Sequence, residues 1–195
     1  MNPRFPFIAA PLLTLAYGVI RILDGLDGSR GPGLAWTTGH LAFMAALVLF
    51  AVTFWQMRRI AGGGRLATVS AVAGIAGIVG LLAQFGIDIV VGFMSADHAA
   101  MGALFAQVQA VPVVPFVIYT GTPLLFYVAQ VVIVSRLAVL GRVQWWTPVL
   151  VLVDMALPLV DKDFIPLGAL CLLVSFVPLA RQAAAPVVKR EVALV

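Results

Sequence analysis

The sequence predicts an all-α fold, a polytopic membrane protein built as a bundle of six transmembrane helices plus one short interfacial helix. Of its 195 residues, 63% are hydrophobic and 10% are charged, whereas a soluble domain has about 45–50% apolar and about 25% charged residues. Its apolar runs approach the roughly 20 residues that a spanning helix needs, and they lack the period-two alternation of barrel strands. We therefore expect one transmembrane helical domain over residues 1–180 and a mobile cytoplasmic tail over 181–195.

The six predicted spans follow from hydropathy windows of about 19 residues. The first run stays apolar through Leu23 and no small-residue cleavage site follows it, so we expect an uncleaved helix rather than a signal peptide. The fifth run is short and carries Pro148, Asp154 and Pro158, so it is either kinked or packed inside the bundle away from lipid. The predicted bounds are 5–23, 37–57, 68–93, 114–135, 146–160 and 164–180.

A further helix is predicted in the connection between the third and fourth spans, SADHAAMGALFAQVQAV. Ser95 is placed to cap its first turn. Apolar residues then recur at i, i+3, i+4 and i+7, which is typical of one helix face. We expect this short amphipathic helix to lie on the outer membrane surface. Its apolar face consists of Met101, Leu104, Phe105 and Val108.

The basic residues predict the orientation of the bundle. If the N-terminus is cytoplasmic, nine of the twelve lysines and arginines fall on the inner side, and only Arg21, Arg30 and Lys162 fall on the outer side. This bias matches the positive-inside rule, so both termini are expected in the cytoplasm. The ten arginines against two lysines, together with many alanines, valines and glycines, indicate a bacterial protein of the cytoplasmic (plasma) membrane.

Polar side chains collect on the predicted outer side. Five of the eight acidic residues map there, as do both histidines. Ionisable residues inside membrane spans are costly and mark functional sites by default. The candidate ligand-binding or ion-binding residues are Arg21, His40, Gln84, Asp88, Tyr119 and Asp154.

Asp88 lies in the outer quarter of the third span, within LLAQFGIDIVVGF. It shares a helix face with Gln84, four residues earlier, and this face continues through Gly80 and Gly77. Small residues allow a neighbouring helix to approach closely, so this face should look into the bundle. The preferred counter-ion of Asp88 is Arg21, which lies in an outer half-span. The pair is either a structural salt bridge or part of a proton-linked or cation-linked site.

Asp154 lies near the middle of the fifth predicted span, where no other span supplies a lysine or an arginine. Burial in hydrocarbon favours its protonated, neutral form. Such a residue either marks an ion or proton pathway or is structural, hydrogen-bonded to the backbone or to Tyr127.

Several functional classes find no support in the sequence. The net charge of +4 and the pI near 9.8 come from basic residues at span ends, so they serve orientation and no nucleic acid is expected. The glycines of RRIAGGGR lack the phosphate-loop pattern. There is no HExxH, calcium loop or GxSxG motif, so no metal is expected, the cofactor stays unknown and the catalytic residues stay unknown.

Three kinds of function remain open from the sequence, and whether the protein is an enzyme is undecided. The first is an accessory or scaffolding protein, or a protein that binds a small ligand or cation through the acidic zone. The second is a proton-linked or cation-linked transporter that uses Asp88 and Asp154. The third is a membrane enzyme acting on a lipid or an isoprenoid. The lipid bilayer is the expected partner, with a membrane-protein partner or a second copy of the chain left open.

Overall fold

Seven α-helices account for most of residues 2–183, the part of the chain that the computed structural model describes. A π-helical segment, called the π segment below, runs directly into α5, and a 3-10 turn leads into α7. The predicted tail lies outside the described residues from position 184 onward, while 181–183 belong to the last helix. The elements are α1 (Phe5–Asp24), α2 (Leu34–Ile60), α3 (Arg65–Met94), α4 (His98–Gln109), the π segment (Val114–Gly121), α5 (Thr122–Val139), α6 (Thr147–Val160), the turn (Lys162–Phe164) and α7 (Ile165–Ala183).

Five helical stretches are long and apolar enough to cross a membrane. α6 is equally apolar but has 14 residues, fewer than the roughly 20 residues that a helix usually needs to span a membrane. The helical, multi-pass membrane fold is thus confirmed, while the count of six spans stays a prediction. The five stretches are Phe5–Asp24, Leu34–Ile60, Arg65–Met94, Val114–Val139 and Lys162–Ala183.

The helices form a closed ring. α1 packs against α2 and α7, α3 packs against α2 and α5, and α6 packs between α5 and α7. Val149, Leu152 and Val153 on α6 are exposed at the periphery of the ring. The alternative that this segment packs inside the bundle away from lipid is therefore wrong.

Charged residues separate to the two ends of the ring. The end where α1 ends and α4 lies, called the α4 end, carries five aspartates with Arg21, Arg30 and Lys162. At the opposite end, called the basic end, residues 2–183 contain seven arginines and no acidic residue. These arginines are Arg4, Arg58, Arg59, Arg65, Arg136, Arg142 and Arg181.

The basic-end half of the ring is filled by apolar side chains. Phe7 and Phe176 meet edge to face with ring centroids 5.6 Å apart, and both are fully buried. Aromatic pairs in this geometry gain about 0.5–1.5 kcal/mol beyond their buried area. Together with five further side chains that have no exposed surface, the two phenylalanines form the apolar plug of the basic end: Phe54, Met57, Ile133, Leu137 and Leu179.

The predicted glycine face of α3 brings α5 very close. A Cβ atom on Gly77 would lie 2.6 Å from the backbone nitrogen of Phe126, and one on Gly80 would overlap Thr122. Only a residue without a side chain fits such a contact. The expectation that this face looks into the bundle is confirmed.

α4 packs its predicted apolar face against the ring, but its cap differs from the prediction. Asp97, not Ser95, is the N-cap, because its side chain accepts a hydrogen bond from the amide of Ala100 at 2.8 Å. Ser95 instead ends α3, and its hydroxyl donates to the carbonyl of Val91. Met101 is buried, whereas a position of α4 at a membrane interface stays a prediction.

Candidate functional site

The ring encloses a cavity of about 570 Å³, a volume within the range of about 300–1,000 Å³ typical of small-molecule sites. Each of the six ring helices contributes to its wall. The structure brings all six sequence-predicted candidate residues together in this wall: Arg21, His40, Gln84, Asp88, Tyr119 and Asp154.

Asp88 is held in the wall by neighbours from two other elements. The phenol of Tyr119, on the π segment, donates a 2.9 Å hydrogen bond to Oδ1 of Asp88. Nε2 of His40, on α2, lies 3.6 Å from Oδ2. Asp88 and His40 are only 8% and 5% exposed, so this contact is shielded from water and its electrostatic interactions are stronger than at a surface.

His40 stands among three aromatic rings. Its ring centroid lies 4.1 Å from that of Trp36, 5.1 Å from that of Phe85 and 5.8 Å from that of Tyr17. Its Nδ1 lies 2.7 Å from the backbone oxygen of Trp36, one helical turn earlier. The imidazole is therefore fixed in orientation by both packing and hydrogen bonding.

The predicted Arg21–Asp88 pair is wrong. Nε of Arg21 lies 3.6 Å from Asp163 in the turn before α7, and Arg30 donates to both oxygens of the same carboxylate at 2.7 and 2.8 Å. The turn folds back over the end of α1, which places Asp163 nearer to Arg21 than sequence spacing could indicate. Arg21 still lines the cavity, and its buried Nε makes no hydrogen bond with residues 2–183.

Asp154 lies at the midpoint of α6 and faces the cavity. It is 9% exposed, and among residues 2–183 its carboxylate accepts no side-chain hydrogen bond and forms no ion pair. α7 approaches it closely, since a Cβ on Gly168 would lie 2.8 Å from its Oδ1. The alternative of a hydrogen bond to Tyr127 is not found in the described part of the chain, although Tyr127 also lines the cavity.

Two glutamines in the wall leave polar atoms without partners. Oε1 of Gln84 and Nε2 of Gln130 are buried and make no hydrogen bond within residues 2–183. Gln130 is 1% exposed and was not among the residues predicted from the sequence. The sequence signal that could have found Gln130 is the same as that of Gln84, a single amide side chain within an apolar run. Buried polar groups normally have hydrogen-bond partners. Both atoms are buried, so each amide leaves one hydrogen-bonding atom unpaired inside the wall.

The exposed rim of the cavity lies near the α4 end. Its exposed lining residues come from the π segment and α5 on one side and from α6 and the following turn on the other. Leu124 is 59% exposed and Leu159 is 81% exposed at this rim. Thr120 and Lys162 complete it. Lining residues reach to Phe50 and Gln130 at mid-depth, above the apolar plug of the basic end.

Within residues 2–183 no group of three or more His, Cys, Asp or Glu side chains is arranged to hold a metal ion. Comparison of the chain with protein-family models, curated proteins and solved structures finds no match. The fold and the cavity define the chain as a multi-pass helical membrane protein with a ligand-sized cavity.

Proposed function

We propose that the protein binds a small lipophilic cation, a positive charge carried on an apolar body, in the central cavity. The observation that carries this proposal is Asp154, a buried carboxylate that faces the cavity without a partner among residues 2–183. An isolated ionisable residue at this depth is costly, and proteins keep such residues mainly at ion and substrate sites. A cationic ligand supplies the missing partner.

The remainder of the wall suits the apolar body of such a ligand. Phe43, Phe50, Phe126 and Leu81 line the cavity together with Tyr127. Aromatic faces attract cations within about 6 Å of the ring centroid, most strongly where water is excluded. The cavity therefore combines a carboxylate with aromatic walls, which is the combination that an amine or an onium ion requires.

The rim between α5 and α6 is proposed as the ligand entrance. It is flanked by exposed apolar side chains, Leu124 and Leu159, so a ligand dissolved in lipid reaches the cavity without crossing water. We place the α4 end on the outer side of a bacterial cytoplasmic membrane and both termini inside, because the opposite end is rich in arginine. In this arrangement the chain crosses the membrane six times, and α4 lies at the outer interface.

The test is binding of two probes of the same shape and opposite charge, tetraphenylphosphonium and tetraphenylborate, to the purified protein in detergent. Tetraphenylphosphonium should bind, and Asp154→Asn should weaken it about tenfold or more, since a desolvated charge pair contributes well over about 1.4 kcal/mol. Asp27→Asn makes the same chemical change at an exposed loop and should leave affinity unchanged.

Equal binding of both probes, or unchanged affinity in Asp154→Asn, would contradict the proposal. Thermal unfolding of the same variants separates binding from folding, because replacing a buried carboxyl group that has no partner by a neutral amide should leave the midpoint unchanged or raise it. If neither probe binds the wild-type protein, the accessory role becomes the better interpretation, and co-purification of a membrane partner is the next measurement.

The proposed entrance has its own matched pair of variants on α5. Leu124→Trp places a large ring at the rim, whereas Val128→Trp places it one turn away at an exposed position that does not line the cavity. Leu124→Trp should slow association of tetraphenylphosphonium, and Val128→Trp should not. Equal association rates in both variants would exclude this route.

A further inference from the structure

The contact between His40 and Asp88 joins two hydrogen-bond acceptors unless a proton lies between them. Nδ1 of His40 faces the carbonyl oxygen of Trp36 at 2.7 Å, and because a carbonyl only accepts, Nδ1 carries the hydrogen of a neutral ring. Nε2 then presents a lone pair to Oδ2 of Asp88 at 3.6 Å. Two buried acceptors facing each other are unfavourable, and one proton turns the contact into an attraction.

The surroundings favour this proton on the imidazole. Trp36, Phe85 and Tyr17 place their ring centroids within 4.1–5.8 Å of the His40 ring, which is the range of cation–π attraction, about 6 Å or less. Tyr119 donates to the other oxygen of Asp88 and so stabilises its carboxylate form. These surroundings favour an imidazolium ion beside a carboxylate.

The other ionisable groups around the pair do not replace this proton. Arg21 is paired with Asp163, and Lys162 is exposed at the rim. Within residues 2–183, His40 is the sole side chain that forms an ion pair with Asp88. The remaining ionisable neighbours in the cavity walls are Tyr17 and Asp24 of α1, Tyr119 of the π segment, Tyr127 of α5 and Asp154 of α6.

A small cleft lies next to His40, between α1 and α2. This second cavity, of about 10 Å³, is lined by His40, Tyr17, Arg21 and Asp24, and that volume is about the size needed for a single water molecule. Asp24 ends α1 and is half-buried at the α4 end. A water molecule in this cleft would connect the imidazole to the surface.

We propose that His40 and Asp88 hold a shared proton in the cavity wall and that a cationic ligand displaces it. This inference rests on the proposed function. A cation paired with Asp154 brings a second positive charge into the cavity that His40 also lines; the proton then leaves Nε2 for solvent, and the carboxylate of Asp88 stays in the wall. One positive charge enters and one leaves, so cation affinity should fall as pH falls.

The shared proton is tested without any ligand by ¹⁵N NMR of histidine-labelled protein. The chain has two histidines, His40 and His98, and His98→Gln assigns their signals. At neutral pH, Nε2 of His40 should resonate as a protonated or strongly hydrogen-bonded nitrogen, and Asp88→Asn should shift it to the position of a bare nitrogen. A bare Nε2 in the wild-type protein would overturn the inference.

The exchange of this proton for a bound cation is tested by calorimetric titration with tetraphenylphosphonium. The titration is run in two buffers of equal pH and different ionisation enthalpy, so that the difference in heat counts the protons released. The wild-type protein and His98→Gln should release the same number of protons on binding. His40→Gln, which keeps a side-chain donor for Asp88 but cannot release a proton, should bind the probe with proton release reduced or lost.

The outcomes separate the two proposals. Binding with equal proton release in wild type and His40→Gln would overturn the exchange while leaving the cation site intact. Absence of binding in the wild-type protein would overturn the proposed function and with it the exchange, whereas the NMR result would still decide whether the proton is shared.

Discussion

At the scale of single residues, two glycines of α3 provide a direct test of helix packing. Gly77→Ala should lower stability by about 1–3 kcal/mol, because its Cβ would lie 2.6 Å from the backbone of Phe126 and overpacking has costs of this size. Gly86→Ala is the matched control, since a Cβ there meets nothing within 4 Å. It should stabilise α3 by up to about 1 kcal/mol. Thermal unfolding in one detergent measures both.

Equal effects of the two substitutions would mean that α3 and α5 are not in this close contact in solution. The same pair of variants also reports on the cavity, because Gly80 and Gly77 bring α5, with Phe126 and Gln130, to its place in the wall.

Single polar residues within apolar runs were the feature of the sequence that predicted the site. Arg21, Gln84, Asp88 and Asp154 stood out because each is expensive in hydrocarbon, and all line one cavity. Their partners could not be predicted, since a counter-ion is selected by three-dimensional proximity. Asp163 pairs with Arg21 because a turn folds back over α1, and nothing in the local sequence encodes that.

At the scale of elements, the π segment is tied to α3 by one hydroxyl. Tyr119→Phe removes the donor to Asp88 while keeping the ring. Losing a hydrogen bond to a charged group costs about 1.5–3 kcal/mol, so amide hydrogen exchange over Val114–Gly121 should accelerate by about tenfold or more.

The control for this prediction is Thr120→Val. The Thr120 hydroxyl donates to the carbonyl of Pro115 within the same segment, so its loss should not loosen the contact with α3. If both variants exchange alike, the Tyr119 contact does not anchor the segment.

Helix positions were predictable because the length of an apolar run is fixed by the membrane thickness. The first predicted span, 5–23, corresponds to Phe5–Asp24, and the third, 68–93, lies within Arg65–Met94. The π segment was not predicted, because a change from α-helical to π-helical hydrogen bonding does not alter the hydropathy of the sequence. The cap of α4 was misassigned for a related reason: Ser95 and Asp97 are both good caps, and the end of α3 decides between them.

At the scale of the whole molecule, the separation of charge predicts orientation. In a Cys171→Ser background, Ser29→Cys at the α4 end and Gly64→Cys at the basic end both place a thiol at an exposed loop position. A membrane-impermeant maleimide added to intact cells should label Ser29→Cys, because arginine-rich loops stay in the cytoplasm. Gly64→Cys should react only after permeabilisation.

Labelling of Gly64→Cys in intact cells would reverse the orientation and move the proposed entrance to the inner leaflet. The parent Cys171→Ser protein provides the background signal for both variants. The cavity itself would be unaffected, since it depends on helix packing and not on direction.

Which helices become neighbours was beyond the reach of the sequence. Short loops bring consecutive helices together, but the contacts of α3 with α5 and of α1 with α7 depend on how the ring closes. The six candidate residues were therefore predicted only as a polar zone in the outer half of the bundle, with Asp154 near mid-membrane, and their assembly around a single cavity depends on the closure of the ring.

The contact between α1 and α7 has a consequence for biosynthesis. These helices are far apart in sequence, yet Ile165 and Leu172 of α7 form part of the cavity wall opposite α3. Membrane helices enter the bilayer before they associate, and α7 is the last of them to leave the ribosome. A nascent chain that has inserted only the helices through α6 has a gap between α1 and α6 in place of a wall, so the cavity closes only after α7 has been inserted.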